Sequence, residues 1–291
     1  MDLRGRPLRS VLYIPGSRER ACEKVKRLPA DGIIFDLEDA VAAEEKVNAR
    51  ALLTRVLTTG DFAHRVKIAR INGLDTQWGR DDAMALAQVP VDAILIPKVN
   101  SPADVSAVAE LVPNTPLWAM MESPLGILNA AAIAAHPRLT GMVLGTNDLA
   151  KDVGTRFRAD REPLLFSLQA CLLAARAYGL ICLDGVFNAF KNDAGLRVEC
   201  EQGRDMGFDG KTVIHPRQIG IANTAFAPSE AEIDLARRHI EAFNEAERSG
   251  KGVAVVDGKI VENLHVLMAL QMLAKAEAIE NIKPVVAGDE E

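Results

Sequence analysis

Short apolar runs alternate with longer stretches of helical periodicity along most of the chain. The runs are SVLYIP (10–15), GIIFDL (32–37), VKIARI (66–71), DAILIP (92–97), PLWAMM (116–121), TGMVLG (140–145), LICLDG (180–185) and FDGKTVI (208–214), eight in all. The first six end in or directly before Pro, Gly or a polar residue. Strands buried on both faces of a parallel sheet read this way. Helical patterns fill the gaps. Residues 17–28 are charged and amphipathic, and 44–57 bring Val47, Leu52, Leu53 and Val56 near one face. Ser101 is an N-cap candidate with Pro102 at the first helical position. Residues 162–178 are long, apolar and closed by Gly179, a C-terminal signal, and 194–206 follow the seventh run.

Eight β-runs alternating with helices predict an α/β fold, a (β/α)₈ TIM barrel. A doubly wound sheet is the alternative, but no G-x-G-x-x-G opens a helix after a strand. Past residue 214 the pattern changes. Ser229-x-x-Glu232 is a capping box that opens a helix to about Arg248. VAVVDGKIV (253–261) holds Asp-Gly between two apolar runs, a hairpin signal, and residues 264–279 form a last helix. The expected organisation is a barrel over 1–225 and a C-terminal helix–hairpin–helix extension over 226–291, with a linker near 223–228. The extension reads as a lid or an oligomer arm. The tail 287–291 is expected to fray.

Composition narrows the partners. Lys plus Arg is 34 against 40 Asp plus Glu, a net charge of -6, so the basic excess of a nucleic-acid binder is missing. The apolar run at 11–14 is too short for a signal peptide, and no stretch reaches the ~18 apolar residues of a membrane span. Cys22, Cys171, Cys182 and Cys200 form no C-x-x-C pair and read as reduced structural thiols. The chain is therefore expected to be cytoplasmic, without nucleic-acid or membrane partners.

Catalytic groups of barrels sit at the C-terminal strand ends. Those ends carry Asp36, Glu38 and Asp39, then Arg70 and Asn72, Lys98, Glu122, Asn147 and Asp148, and finally Asp184 and Asn188. Glu122 and Asp148 end successive strands, so their carboxylates can converge over the mouth. Two carboxylates completed by waters and substrate oxygens are a common way to hold Mg²⁺, and no His or Cys cluster offers a zinc site. The competing reading makes Asp148 a helix cap. Arg70, flanked by Ala69 and Ile71, either faces a ligand or pairs with Asp36 or Glu38. The cations Arg18, Arg20, Lys24, Lys26 and Arg27 after PGS (15–17) either hold phosphates at a helix start or form a solvated face. His215 reads as a structural histidine; His64, His136, His239 and His265 have no motif context.

The motifs RSVLYIPGS (9–17), IIFDLEDAV (33–41), ARING (69–73), ILIPKV (94–99), MMES (120–123), GTNDLA (145–150), LDGVFNAF (183–190) and GFDGKTVIHPRQI (207–219) stand in one order. In that order the chain resembles the citrate lyase β-subunit-like family of HpcH/HpaI aldolases, from about residue 8 to 279. The family includes malyl-CoA lyases, citramalyl-CoA lyases and malyl-CoA thioesterases. The AMM run, GTNDLAK and VAVVDGKIVENLH look most like its thioesterase branch.

The resemblance implies Mg²⁺, with Mn²⁺ as a substitute, on Glu122 and Asp148. It places Arg70 at the thioester oxygen or substrate. It puts Tyr13, Arg18 and Lys24 on CoA and Asn147, Val186 and Phe187 on the acyl part, with Asp36, Glu38 and Asp39 supporting. Glu262 aligns with an acid of the extension that often reaches a neighbour's site; lyases and synthase-like members usually have Asp there. A homotrimer or homohexamer is implied. The expected activity is hydrolysis of a 3-hydroxydicarboxylyl-CoA thioester, with (3S)-malyl-CoA to malate and CoA first. The alternatives are reversible C–C cleavage of malyl-, methylmalyl- or citramalyl-CoA, and a non-catalytic or carrier-docked citrate lyase β-like subunit.

Overall fold

The computed structural model describes residues 3–282; the expected frayed tail lies outside them. Eight parallel strands close into a barrel in sequence order. They are β1 (Ser10–Pro15), β2 (Gly32–Asp36), β3 (Val66–Arg70), β4 (Ala93–Ile96), β5 (Leu117–Met121), β6 (Leu139–Leu144), β7 (Ile181–Asp184) and β8 (Gly210–Val213). Each falls within a residue or two of its apolar run. Pairing of β1 with β8 completes the ring through Ser10–Lys211 and its successors.

The helices between strands begin with α1 (Glu19–Val25), α2 (Lys46–Thr59), α3 (Gly79–Leu86) and α4 (Pro102–Leu111). Then come α5 (Pro124–Leu128), α6 (Ala130–Ala134), α7 (Thr146–Val153), α8 (Leu165–Ala177), α9 (Asp193–Met206) and α10 (Arg217–Ala225). Ser101 and Asp104 form a reciprocal capping box at α4. Five of these helices, α3, α5, α6, α7 and α10, do not stand out in the hydrophobic pattern. They are short, so too few turns exist to establish a period.

The pleat determines what reaches the mouth. Side chains alternate between the lumen and the helix layer. Val11, Ile34, Val66, Ile68, Ala93, Leu95, Trp118, Val143, Ile181 and Leu183 pack together inside the barrel. Two residues further along their strands, the same face carries Tyr13, Asp36, Arg70, Met120, Gly145 and Gly185. One more step along β5 brings Glu122. A second, larger core of residues such as Ile33, Phe35, Ala69, Met142 and Leu172 fills the layer between strands and helices.

Beyond α10 lie α11 (Glu230–Arg248), a two-stranded hairpin of β9 (Ala254–Val256) and β10 (Lys259–Val261), and α12 (Asn263–Glu280). Ser229 and Glu232 form the expected capping box. Asp257 and Gly258 both take positive φ, 49° and 75°, as a two-residue type I′ turn requires. Phe243, Ala246, Ala254, Val256, Val261 and Val266 make a small core that contains no barrel residue. Farther along α12, Met268, Gln271, Met272 and Lys275 border a groove with Leu3–Leu8 and Asp209. These residues precede β1 and β8, so this part of α12 lies by the N-terminal end of the barrel.

All four cysteines are buried, free thiols. Among the described residues, no helix is long and apolar enough to cross a membrane.

Candidate active site

At the C-terminal mouth a cavity of about 290 Å³ is lined by Tyr13, Asp36, Asp39, Arg70, Met120, Glu122, Gly145, Asn147, Asp148, Val186 and several neighbours. The expected set from β1, β2, β3, β5, β6 and β7 thus converges. Gly145 and Gly185 supply no side chains where the lumen face reaches the mouth, which leaves room. At Gly145 a Cβ would stand 2.4 Å from Glu122 Cβ and 2.6 Å from its Oε2, so any other residue would displace the carboxylate.

Arg70 is buried and held as a fork. Its Nε donates to Asp36 Oδ1 at 2.7 Å and its Nη2 to Asp36 Oδ2 at 2.6 Å. Nη1 lies 2.9 Å from Glu38 Oε2 and 3.4 Å from Asp39 Oδ2. The Glu38 contact is a charge pair without an aligned hydrogen bond, since Glu38 Oε2 has no hydrogen-bond partner. The salt-bridge reading of Arg70 is realised, and the same side chain lines the cavity. Its guanidinium carbon lies 5.3 Å from the centre of the Tyr13 ring. Burial works against the guanidinium, but Asp36 and its neighbours outweigh it and hold the proton more tightly than usual.

Glu122 is almost fully buried. Its Oε1 accepts the Lys98 backbone N–H at 2.8 Å. Burial, helped by the Glu38 charge, pushes its carboxyl up to about 7. Asp148 stands in the first turn of α7, partly exposed, with Lys98 Nζ 3.7 Å away. The competing reading of Asp148 as a cap does not hold: Gly145 is the N-cap residue, no side chain caps the helix, and Asp148 is an acidic residue of its first turn.

The donor set fits a hard divalent cation. Five carboxylates, from Asp36, Glu38, Asp39, Glu122 and Asp148, gather there, and among the described residues their ion pairs come from Arg70 and Lys98. Glu122 is buried with a single backbone donor on one oxygen, and a cation there would relieve its desolvation. Among the described residues no group of three His, Cys, Asp or Glu side chains forms a metal cage. Mg²⁺ suits such a site, because it keeps waters and substrate oxygens beside one or two carboxylates.

The other expected residues divide. Asn147 exchanges amide hydrogen bonds with Asn188 across the β6 and β7 loops, at 2.7 and 3.2 Å. Val186 lies between this cavity and a second of about 440 Å³, where Phe187 and Phe157 are walls. Arg18, the N-cap position of α1, and Lys24 within it are exposed and do not line the cavity. Glu262 is the exposed N-cap position of α12; its N–H donates to His265 Nδ1 at 3.0 Å. It does not line this cavity either, and the small core beside it holds no barrel residue.

Two strand-end residues belong to the framework. Asp184, one position beyond lumen-facing Leu183, points outward, where Arg161, Lys211 and Glu199 complete a buried ion cluster. Asn72 Nδ2 donates to Leu37 O and to Asp82. His215 is stacked 4.8 Å from Phe190 and accepts the Arg217 N–H. The spacing marks Lys98 as a strand end, but not its contacts with Glu38, Glu122 and Asp148.

Fold and site together define a (β/α)₈-barrel enzyme. The chain belongs to the HpcH/HpaI aldolase/citrate lyase family, whose model matches residues 9–216. It is 67% identical over 273 residues to a (3S)-malyl-CoA thioesterase of Cereibacter sphaeroides strain ATCC 17029, covering 94% of this chain and 96% of that protein. It is 35% identical over 284 residues to the citrate lyase subunit beta of Escherichia coli K12, covering 94% of each. Among solved structures, CitE from Mycobacterium tuberculosis in complex with magnesium, acetoacetate and coenzyme A is similar. It matches with a TM-score of 0.78 at 32% identity, over 94% of this chain and 98% of that one.

Proposed function

We propose that the protein hydrolyses (3S)-malyl-CoA to malate and free CoA with the help of Mg²⁺. The observation that carries this reading is the 67% identity to a (3S)-malyl-CoA thioesterase across nearly the whole chain. The mouth chemistry supports it. Glu122 and Asp148 would hold the cation, which when bound supplies Lewis-acid charge to the hydroxyl and carboxylate oxygens of the acyl group. The CitE complex with magnesium and coenzyme A favours the same ion class and ester carrier.

Arg70, which lines the cavity, would stabilise the oxyanion of the attacked thioester carbonyl with its positive charge and any N–H not taken by its carboxylate partners. Water adds to that carbonyl carbon and loses a proton to a base. The carbon–sulfur bond then breaks and the departing thiolate takes up a proton. Glu262, supplied by a neighbouring subunit, is the proposed base. Tyr13 packs under Arg70, and Arg18 and Lys24 offer exposed positive charge at α1 for the phosphates of CoA.

The 35% identity to a citrate lyase β subunit favours a second reading, C–C cleavage of the same kind of ester. One assay separates them. With malyl-CoA and Mg²⁺, hydrolysis releases free thiol and malate without glyoxylate. Glyoxylate and acetyl-CoA formed together, with no free thiol, establish the lyase instead. Glu122→Ala and Asp148→Ala should each abolish turnover, and full activity of the unmodified protein in excess chelator removes the metal from the mechanism.

A further inference from the structure

We propose that Lys98 is a positioning residue that sets the affinity of the mouth for its divalent cation. Its backbone fixes one ligand while its ammonium competes with the ion for the other. The inference rests on Glu122 and Asp148 as the ligands.

Lys98 follows Pro97 at the end of β4 and takes φ 49°, a left-handed conformation that glycine adopts without strain and lysine does not. Two consequences follow from that backbone. The N–H points at Glu122 Oε1, 2.8 Å away, and anchors the buried carboxylate. The side chain turns across the mouth, where Nζ bonds Glu38 Oε1 and lies 3.7 Å from Asp148 Oδ2. One residue therefore touches both ligands, one through its main chain and one through its charge.

The charges show what the ammonium does. Asp36 and Arg70 neutralise each other in a two-pronged pair. Arg70 also reaches Glu38 at 2.9 Å and Asp39 at 3.4 Å, so Glu122 and Asp148 are the mouth carboxylates with no ion pair to Arg70 among the described residues. Lys98 is the cation that meets Asp148, and it shares Glu38 with Arg70. In the metal-free protein it damps the repulsion among these carboxylates. The ion needs the Asp148 carboxylate, so every bound ion must work against a positive charge close by. The Lys98 side chain is half exposed, so it can withdraw onto Glu38 as the ion arrives. Groups that contact metal ligands commonly orient them and tune the metal in this way.

The test is a calorimetric Mn²⁺ titration of the full-length protein without substrate. Lys98→Gly keeps the N–H and suits the backbone, Lys98→Met keeps the bulk, and Lys98→Arg keeps the charge. Removing a unit charge a few ångströms from a dication should tighten binding by roughly tenfold in Lys98→Gly and Lys98→Met. Lys98→Arg should stay near the unmodified protein. A residue that merely supports the fold would give weaker binding in all three. Unchanged or weakened Mn²⁺ affinity in both Lys98→Gly and Lys98→Met, each with an unaltered circular dichroism spectrum, overturns the proposal. Glu122→Gln and Asp148→Asn serve as separate controls. If they bind Mn²⁺ as tightly as the unmodified protein, the cation site itself is wrong and the role of Lys98 falls with it.

Discussion

Arg70 is where single-residue chemistry is most constrained. Three of its guanidinium nitrogens are engaged by carboxylates, and the fork is fixed in its plane by Asp36. A lysine ammonium is a point charge that cannot copy two parallel bonds at once. Arg70→Lys should therefore lose nearly as much thioester turnover as Arg70→Ala, by about 10²-fold or more if oriented donors serve the oxyanion. Steady-state kinetics of both variants check this, and Arg70→Lys activity within a few-fold of the original would mean that only charge matters there. The sequence made Arg70 conspicuous because a charge inside an apolar strand needs a reason. It left open whether the partner was Asp36 or a ligand, because pairing across strands depends on register. Here β2 and β3 place Asp36 directly beside Arg70.

Strands were easier to read than their orientations. All eight stood out, because buried parallel strands are continuous apolar runs. Which strand-end residue enters the mouth is a matter of pleat, and Asp184 shows the cost of ignoring it. Leu183 faces the lumen, so Asp184 faces α9 and joins Arg161, Lys211 and Glu199 across β7, β8, α9 and the turn before α8. Burial alone would raise the Asp184 carboxyl. The cations Lys211 and Arg161 overcome that and hold it below its usual value. Its contribution to stability is thus complete above about pH 4 and is lost as the pH falls through that range toward the folded-state value. Asp184→Asn removes the counter-charge of two buried cations and should cost about 3–5 kcal/mol. Urea melts between pH 3 and 7 check both statements. The variant should be less stable at neutral pH, and the gap to the unmodified protein should narrow in acid.

At the scale of the whole molecule, the question is where the extension places Glu262. Glu262 opens α12 beside a small core of its own, while the later turns of α12 lie near the N-terminal end of the barrel. Its own mouth cavity does not include it. If Glu262 acts as the base, it must therefore do so in another subunit. The extension has the surface for such contact: Leu264, Leu267, Met268 and Leu270 of α12 and Val255 and Ile260 of the hairpin are all at least half exposed. Apolar exposure of this kind marks interaction surfaces. Glu262→Gln should keep the fold and substrate affinity and lower hydrolysis by roughly 10²–10⁴-fold. Mixing inactive Glu262→Gln with inactive Arg70→Ala under conditions that exchange subunits gives the decisive measurement. A site that takes Arg70 from one chain and Glu262 from the other is intact. Random pairing of equal amounts in a closed ring regenerates about a quarter of the sites. Recovery of thiol release on mixing, with an optimum near equal proportions, is the expected result. A mixture that stays as inactive as its components would return Glu262 to its own subunit or remove it from the chemistry. A protein that is monomeric and fully active in the assay would do so without any mixing.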